Sequence, residues 1–202
     1  ADANPAVAAV LLAGAGRNFI GGADIREFGK PPLSPALPEV CNRIEACSKP
    51  VIAAIHGPAL GGGLEIALAA HYRVALPGAK LGLPEVLLGL LPGAGGTQRT
   101  PRLIGAKAAL DLMLSGRHVS AGEAHRLGLV DCLSGGDNPV EAGMVYTRQL
   151  LAHMLEIAGE HDFLLMANRQ EAVQDVAASA RAQPMIHDFP SRMLWMQTVL
   201  PA

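Results

Sequence analysis

The stretch from Lys49 to Arg99, KPVIAAIHGPALGGGLEIALAAHYRVALPGAKLGLPEVLLGLLPGAGGTQR, constrains this chain more than any other. It opens on an apolar run, Val51 to Ile55, that suits a buried strand. Gly57 and Pro58 break the run, and the glycine triplet Gly61-Gly62-Gly63 follows. From Leu64 to Ala70, strong helix formers predict a buried helix with one carboxylate, Glu65, in its first turn. Tyr72 to Leu76 predicts the next strand, and a second carboxylate, Glu85, follows Pro84. The two acids are 20 residues apart, enough for a helix, a strand and a return. They can therefore meet at one site from successive layers.

The glycine triplet bears on what lies between those acids. Glycines entering a helix let the backbone approach a ligand closely, and the first N–H groups of a helix have no internal partner. With the helix dipole behind them, such groups stabilise a developing negative charge. Taken alone, the triplet is met more simply by a tight strand-to-helix turn, with Glu65 favouring a helix N-terminus.

At 202 residues the chain can bury one substantial core. Half the residues are apolar but only 3% are aromatic, so Ala, Leu, Val and Gly must build closely packed layers. A net charge of −2 gives no electrostatic basis for binding nucleic acid or an anionic membrane. No apolar run reaches transmembrane length. Ala1 to Val10 lacks the basic leader of a signal peptide. Cys41, Cys47 and Cys132 form an odd set without CxxC spacing, which implies reduced thiols in a cytoplasmic-type compartment.

Before the central stretch, Val7 to Ala13 fits a strand buried on both faces. The GAG that follows does not make a dinucleotide fingerprint, because Phe19 stands where GxGxxG requires glycine. Gly21-Gly22-Ala23-Asp24 reads as a turn at a strand exit, with Asp24 a candidate helix N-cap. Pro31, Pro32, Pro35 and Pro38 mark a surface loop. Glu39 to Cys47 predicts a short amphipathic helix with Val40 and Ile44 on one face.

Beyond Arg99, TPRLIGAKAALDLMLSG predicts two helices broken near Gly105, with Leu110, Met113 and Leu114 as the buried stripe. Ser120 with Glu123 is a capping-box pair starting a helix that Gly128 ends, and LVDCL then reads as a short strand. SGGDNP, residues 134–139, is the clearest linker, dividing a core over 1–133 from a C-terminal helical region over 140–202. Within that region helices are predicted over 140–158 and 162–182. Neither His-x₃-His nor HExxH occurs, so His56 and His71 read as packed, hydrogen-bonded groups and no metal site is expected. A serine nucleophile finds no GxSxG.

Four ordered blocks carry a resemblance: RNFIGGADIREF, ALGGGLEIALAAHYRVA, KLGLPEVLLGLLPGAGGTQRTPRLIG and SGRHVSAGEAHRLGLVD. Together they closely resemble the enoyl-CoA hydratase/isomerase (crotonase) superfamily, over roughly residues 7 to 133. The wording is most similar to the hydratase/isomerase half of bifunctional fatty-acid oxidation enzymes. The resemblance implies an α/β fold, a crotonase-like spiral of repeated ββα units with C-terminal helices. The chain starts where the family's first helix normally ends, so a truncated first unit is expected, together with the loss of the CoA contacts that unit makes. The tail from about Glu160 does not match the family. Its apolar end, PSRMLWMQTVLPA, must be covered by its own domain, a neighbouring subunit or a dehydrogenase part.

For function, the resemblance implies an acyl-CoA thioester substrate and no cofactor beyond the coenzyme A the substrate carries. By the same resemblance, the backbone N–H groups of Ala23 and Gly62 are expected to form the oxyanion hole, with Asp24, Ile25 and Arg26 bordering the thioester and pantetheine. Glu65 is expected to orient and activate water, and Glu85 to move the proton at the α-carbon. Members that only isomerise double bonds commonly lack an acid at the Glu65 position, so the pair favours hydration, with isomerisation a second activity. Thioester hydrolysis, decarboxylation and a non-catalytic assembly domain are the alternatives. Arg99 and Arg102 read as helix-face charges, with the CoA phosphates as the other possible contact. A trimer-based homo-oligomer or fusion to a 3-hydroxyacyl-CoA dehydrogenase part is implied as partner.

Overall fold

The main sheet is built on three short strands with almost no polar side chains. They are β1 (Ala9–Gly14), β2 (Val51–Ile55) and β4 (Tyr72–Ala75). In this computed structural model, which describes residues 1–4, 7–24, 34–155, 163–167, 182–186 and 195–200, β2 runs parallel to both neighbours. Leu11 faces Ile52 across one pair and Ala53 faces Arg73 across the other. Every residue of β1 and β2 is buried, which is how strands covered on both faces read. Side chains alternate between the faces. Val10, Leu12, Val51, Ala53 and Ile55 point into the larger core with Leu64 and Ile66, whereas Leu11, Ile52, Ala54 and Val74 point into a second core with Val140 and Met144.

A second, three-stranded sheet holds β3 (Pro58–Leu60), β5 (Lys80–Gly82) and β6 (His118–Ser120). β3 pairs parallel with β5, and β6 joins antiparallel on the other side. Ile20, just beyond β1, bridges to Ala59 of β3. β1, β2 and β4 are thus each followed by a short crossing segment, in or bridged to the second sheet, and then by a helix. Those helices are α1 (Leu37–Glu45), α2 (Gly62–Ala69) and, after a 3₁₀ turn over Pro84–Leu88, α3 (Gly96–Ile104). This is the expected spiral of ββα units.

α4 (Ala106–Ser115) follows α3, and α5 (Ala121–Leu127) is capped as expected by Ser120, whose hydroxyl accepts the Glu123 N–H at 3.3 Å. Gly128 ends α5 in the left-handed conformation, and β7 (Cys132–Leu133) adds to the main sheet beside β4. α6 (Pro139–Leu155) packs on the second core.

Three expectations are corrected. In α4 the buried residues are Ala109 and Leu112, with Met113 at the core edge, while Leu110 and Leu114 are 52% and 68% exposed. The segment is apolar on several faces at once, so its periodicity does not set the rotation of the helix. The helix predicted over 162–182 is replaced at its start by β8 (Phe163–Ala167), a five-residue apolar run that fits a strand better than a helical turn. The region after 140 is accordingly not all helical: β9 (Ala182–Ile186) pairs parallel with β8, and β10 (Trp195–Leu200) joins β8 to β1 antiparallel. Residues 156–158, 162 and 168–181 of the two predicted helices lie outside the described residues. The apolar end of the tail therefore adds to the chain's own sheet.

Candidate active site

Gly61 is the hinge of the site. Its φ of 52° and ψ of −127° are open to glycine and strained for other residues, and they turn the chain from β3 into α2. The Glu65 N–H then makes the first helical bond, to Gly61 O at 3.0 Å. This sets Glu65 in the first turn of a helix buried along its length, with the side chain only 2% exposed.

A buried carboxylate needs partners. Glu65 Oε1 accepts two backbone N–H groups, from Ala94 at 2.7 Å and Gly96 at 2.8 Å, both at the entrance to α3. Burial raises the Glu65 pKa above the usual carboxylate value, against the lowering effect of the Gly96 and Ala94 bonds and of the Arg99 charge. Space at this contact is tight: a Cβ on Gly96 would lie 3.0 Å from Glu65 Oε1.

Glu85 reaches the same glycine turn from the other side. It sits in the first turn of the 3₁₀ segment, half-buried, with Oε1 only 3.3 Å from where a Cβ on Gly61 would lie. Its Oε2 is buried without a hydrogen-bond partner among the described residues. Burial is the main cause raising its pKa; a bond to its own backbone lowers it, and the charge of Glu65 raises it further. The two acids therefore share an electrostatic environment, yet one has a fixed oxygen and the other an unpartnered one.

The remaining predicted residues are placed as follows. Gly62 is the first residue of α2, and its N–H makes no hydrogen bond among the described residues. The amide nitrogen of Ala23 lies 4.0 Å from the position a Cβ on Gly62 would occupy. The Ile20–Ala23 segment is brought there by Gly63, where a Cβ would fall 2.0 Å from Ile20 O. Ala23 is exposed and Asp24 half-buried, while Ile25 and Arg26 lie outside the described residues. Glu65, Glu85, Gly62 and Ala23 are thus gathered around one turn.

His56 and His71 are packed and hydrogen-bonded, as expected: His56 Nε2 pairs with Gly16 O at 3.0 Å, and His71 Nδ1 accepts the Val51 N–H at 2.9 Å. Arg102 is exposed on α3. Arg99 departs from the helix-face expectation. It is 7% exposed, and its two terminal nitrogens are taken up by Ala94 O, Asn42 Oδ1 and Glu45 Oε2. The donors to Glu65 went unforeseen because main-chain N–H groups carry no residue signature. The usable signal is the small-residue run Gly93-Ala94-Gly95-Gly96 at a helix start.

Chemically, the arrangement offers two carboxyls whose pKa values burial raises, one with an oxygen held by backbone donors and one with an unpartnered oxygen. Beside them lie the Gly62 N–H and the Ala23 amide.

A sequence model described as enoyl-CoA hydratase/isomerase matches residues 1–191. The chain is 60% identical over 128 residues to a peroxisomal bifunctional enzyme of Danio rerio, covering 63% of this chain and 18% of that protein. It is 48% identical over 136 residues to a probable enoyl-CoA hydratase of Bacillus subtilis, covering 64% and 53%. Among solved structures, an enoyl-CoA hydratase from Bacillus anthracis superposes with a TM-score of 0.69 at 37% identity, over 75% of this chain and 61% of the other. The chain thus spans about a fifth of the bifunctional relative and just over half of the single-function one. With the spiral of ββα units and the matched sequence together, the chain belongs to the enoyl-CoA hydratase/isomerase family.

Proposed function

We propose that this chain adds water across the 2,3 double bond of a 2-enoyl-CoA to give a 3-hydroxyacyl-CoA, a step of fatty-acid β-oxidation. The observation that carries this reading is the pair Glu65 and Glu85, both acidic and set on either side of the Gly61 turn. The N–H groups of Ala23 and Gly62 receive the thioester oxygen as it gains negative charge, and one such donor is worth roughly 10²–10³ in rate. Glu65 commits Oε1 to Ala94 and Gly96, which leaves Oε2 to orient water and take its proton as the water oxygen bonds to C3. The unpartnered Oε2 of Glu85 delivers a proton to C2. The reaction needs no cofactor beyond the coenzyme A of the substrate, whose thioester and pantetheine Asp24 borders in this reading.

Isomerisation is a second activity on the same oxyanion hole, because Glu85 alone can move a proton between C2 and C4. The product of hydration is the substrate class of a 3-hydroxyacyl-CoA dehydrogenase, and the bifunctional relatives support such a partner on the same polypeptide or as a separate one. A trimer-based homo-oligomer is the other assembly proposed, and the exposed Leu87, Leu88 and Leu91 beside Glu85 suit a covering surface. The names of the relatives favour a peroxisomal compartment over the cytoplasmic one suggested by the free thiols.

The test is conversion of short-, medium- and long-chain 2-enoyl-CoA thioesters by the purified chain, followed by loss of enoyl-thioester absorbance and by mass of the product. A gain of one water is expected for at least one chain length. A folded protein that hydrates none of them would overturn the proposal and favour the non-catalytic alternative.

A further inference from the structure

Three consecutive peptide units hold the loop that leads into α3. The Gly93–Ala94 unit gives its N–H to Glu65, and the Gly95–Gly96 unit does the same. Between them, the Ala94–Gly95 unit offers its C=O to Arg99 Nη1 at 2.8 Å. Gly95 has a φ of 104°, and a Cβ there would fall 2.1 Å from Arg99 Nη1, so the guanidinium lies close against this unit. The opposite nitrogen of the guanidinium, Nη2, is held by α1: Glu45 Oε2 at 2.7 Å and Asn42 Oδ1 at 3.2 Å. Arg99 therefore links a neighbouring helix to the one loop whose N–H groups fix Glu65.

We propose that Arg99 is a positioning residue: by tying the Ala94–Gly95 peptide to α1, it holds both N–H donors on Glu65 Oε1 and so sets the direction of the water-facing oxygen. The inference rests on the proposed role of Glu65 in hydration. A planar guanidinium is suited to this task, since it bonds in two directions from one rigid plane. A lysine keeps the charge but cannot bridge Ala94 O and both α1 side chains.

The groups facing Glu65 are Arg99 from α3, Glu85 from the 3₁₀ turn and Cys41 from α1. Burial pushes the Cys41 thiol up to about 11, so it stays neutral and does not compete. The Arg99 charge and the two N–H donors each lower the Glu65 pKa, so removing Arg99, which withdraws the charge and loosens the donors, raises it. The carboxyl then titrates at higher pH, and the acid limb of the rate profile moves the same way.

Arg99→Met and Arg99→Lys are compared with the wild type by ¹³C NMR titration of labelled glutamates, with the Glu65 signal assigned from Glu65→Gln. Hydration kinetics and melting curves are recorded alongside. In Arg99→Met the Glu65 titration is expected to move to higher pH. The kcat should fall by about 10²-fold, the size of loss a misplaced catalytic group brings, with KM changing much less. If Arg99→Met does not fold, Arg99→Lys decides by the same readouts, with about a tenfold loss of kcat expected. A folded variant with the wild-type titration, acid limb and kcat would overturn the inference. Wild-type hydration is measured first: its absence counts against the proposed function, while the NMR difference still decides the case of Arg99.

Discussion

Glu65 and Glu85 are both carboxylic acids with pKa values raised by burial, but the fold treats their oxygens differently. Glu65 has two backbone donors on one oxygen, whereas the buried Oε2 of Glu85 has no partner among the described residues. An acid left in that state costs folding free energy, which makes Glu85 a candidate for the proposed proton transfer. The consequence can be measured. A carboxyl whose folded pKa is raised contributes stability below its ordinary value and loses it as pH rises through the raised one. Glu85→Gln is therefore expected to melt a few degrees above the wild type at neutral pH, with the difference closing in acid. Calorimetry at the two conditions checks this, and equal melting temperatures at neutral pH would contradict it. The sequence showed both acids and their spacing, because residue type and number are what a sequence records. It did not show that Ala94 and Gly96 hold Glu65, since that depends on where a loop's main chain is brought by folding.

At the level of elements, the strands and glycine turns were legible and the rotation of one helix was not. Val51–Ile55 and Gly61–Gly63 announce themselves through an apolar run and a triplet that bulkier residues would obstruct. The α4 segment has apolar side chains at 109, 110, 112, 113 and 114, so several stripes fit the same period. Packing against the core chooses Ala109 and Leu112. Leu112→Ala is accordingly expected to cost about 2–5 kcal/mol. Leu114→Ala, on the exposed face, should stay within about 0.5 kcal/mol of wild type. Urea unfolding of the two variants tests the choice, and a reversed order would place the stripe where periodicity alone first put it. The strand at Phe163–Ala167 escaped notice for a related reason: five apolar residues next to polar, helix-forming sequence fit either assignment until strand pairing selects one.

For the molecule as a whole, each strand pair delivers one part of the site. The segment beyond β1 brings Ala23, the turn between β3 and α2 brings Gly62 and Glu65, and the segment beyond β5 brings Glu85. That order was readable because the four sequence blocks follow the repeat of the fold. The placement of the last strands was not, since β10 pairs with β1 across nearly the full length of the chain. In the proposed reaction, two acids divide the work at one oxyanion hole. Its most direct test measures Glu65→Gln and Glu85→Gln, each shown to be folded, on a 2-enoyl-CoA and a 3-enoyl-CoA. Glu65→Gln should lose hydration by about 10²-fold or more while still shifting the 3-enoyl double bond, and Glu85→Gln should lose both activities. Wild-type hydration by Glu65→Gln, or undiminished isomerisation by Glu85→Gln, would contradict it.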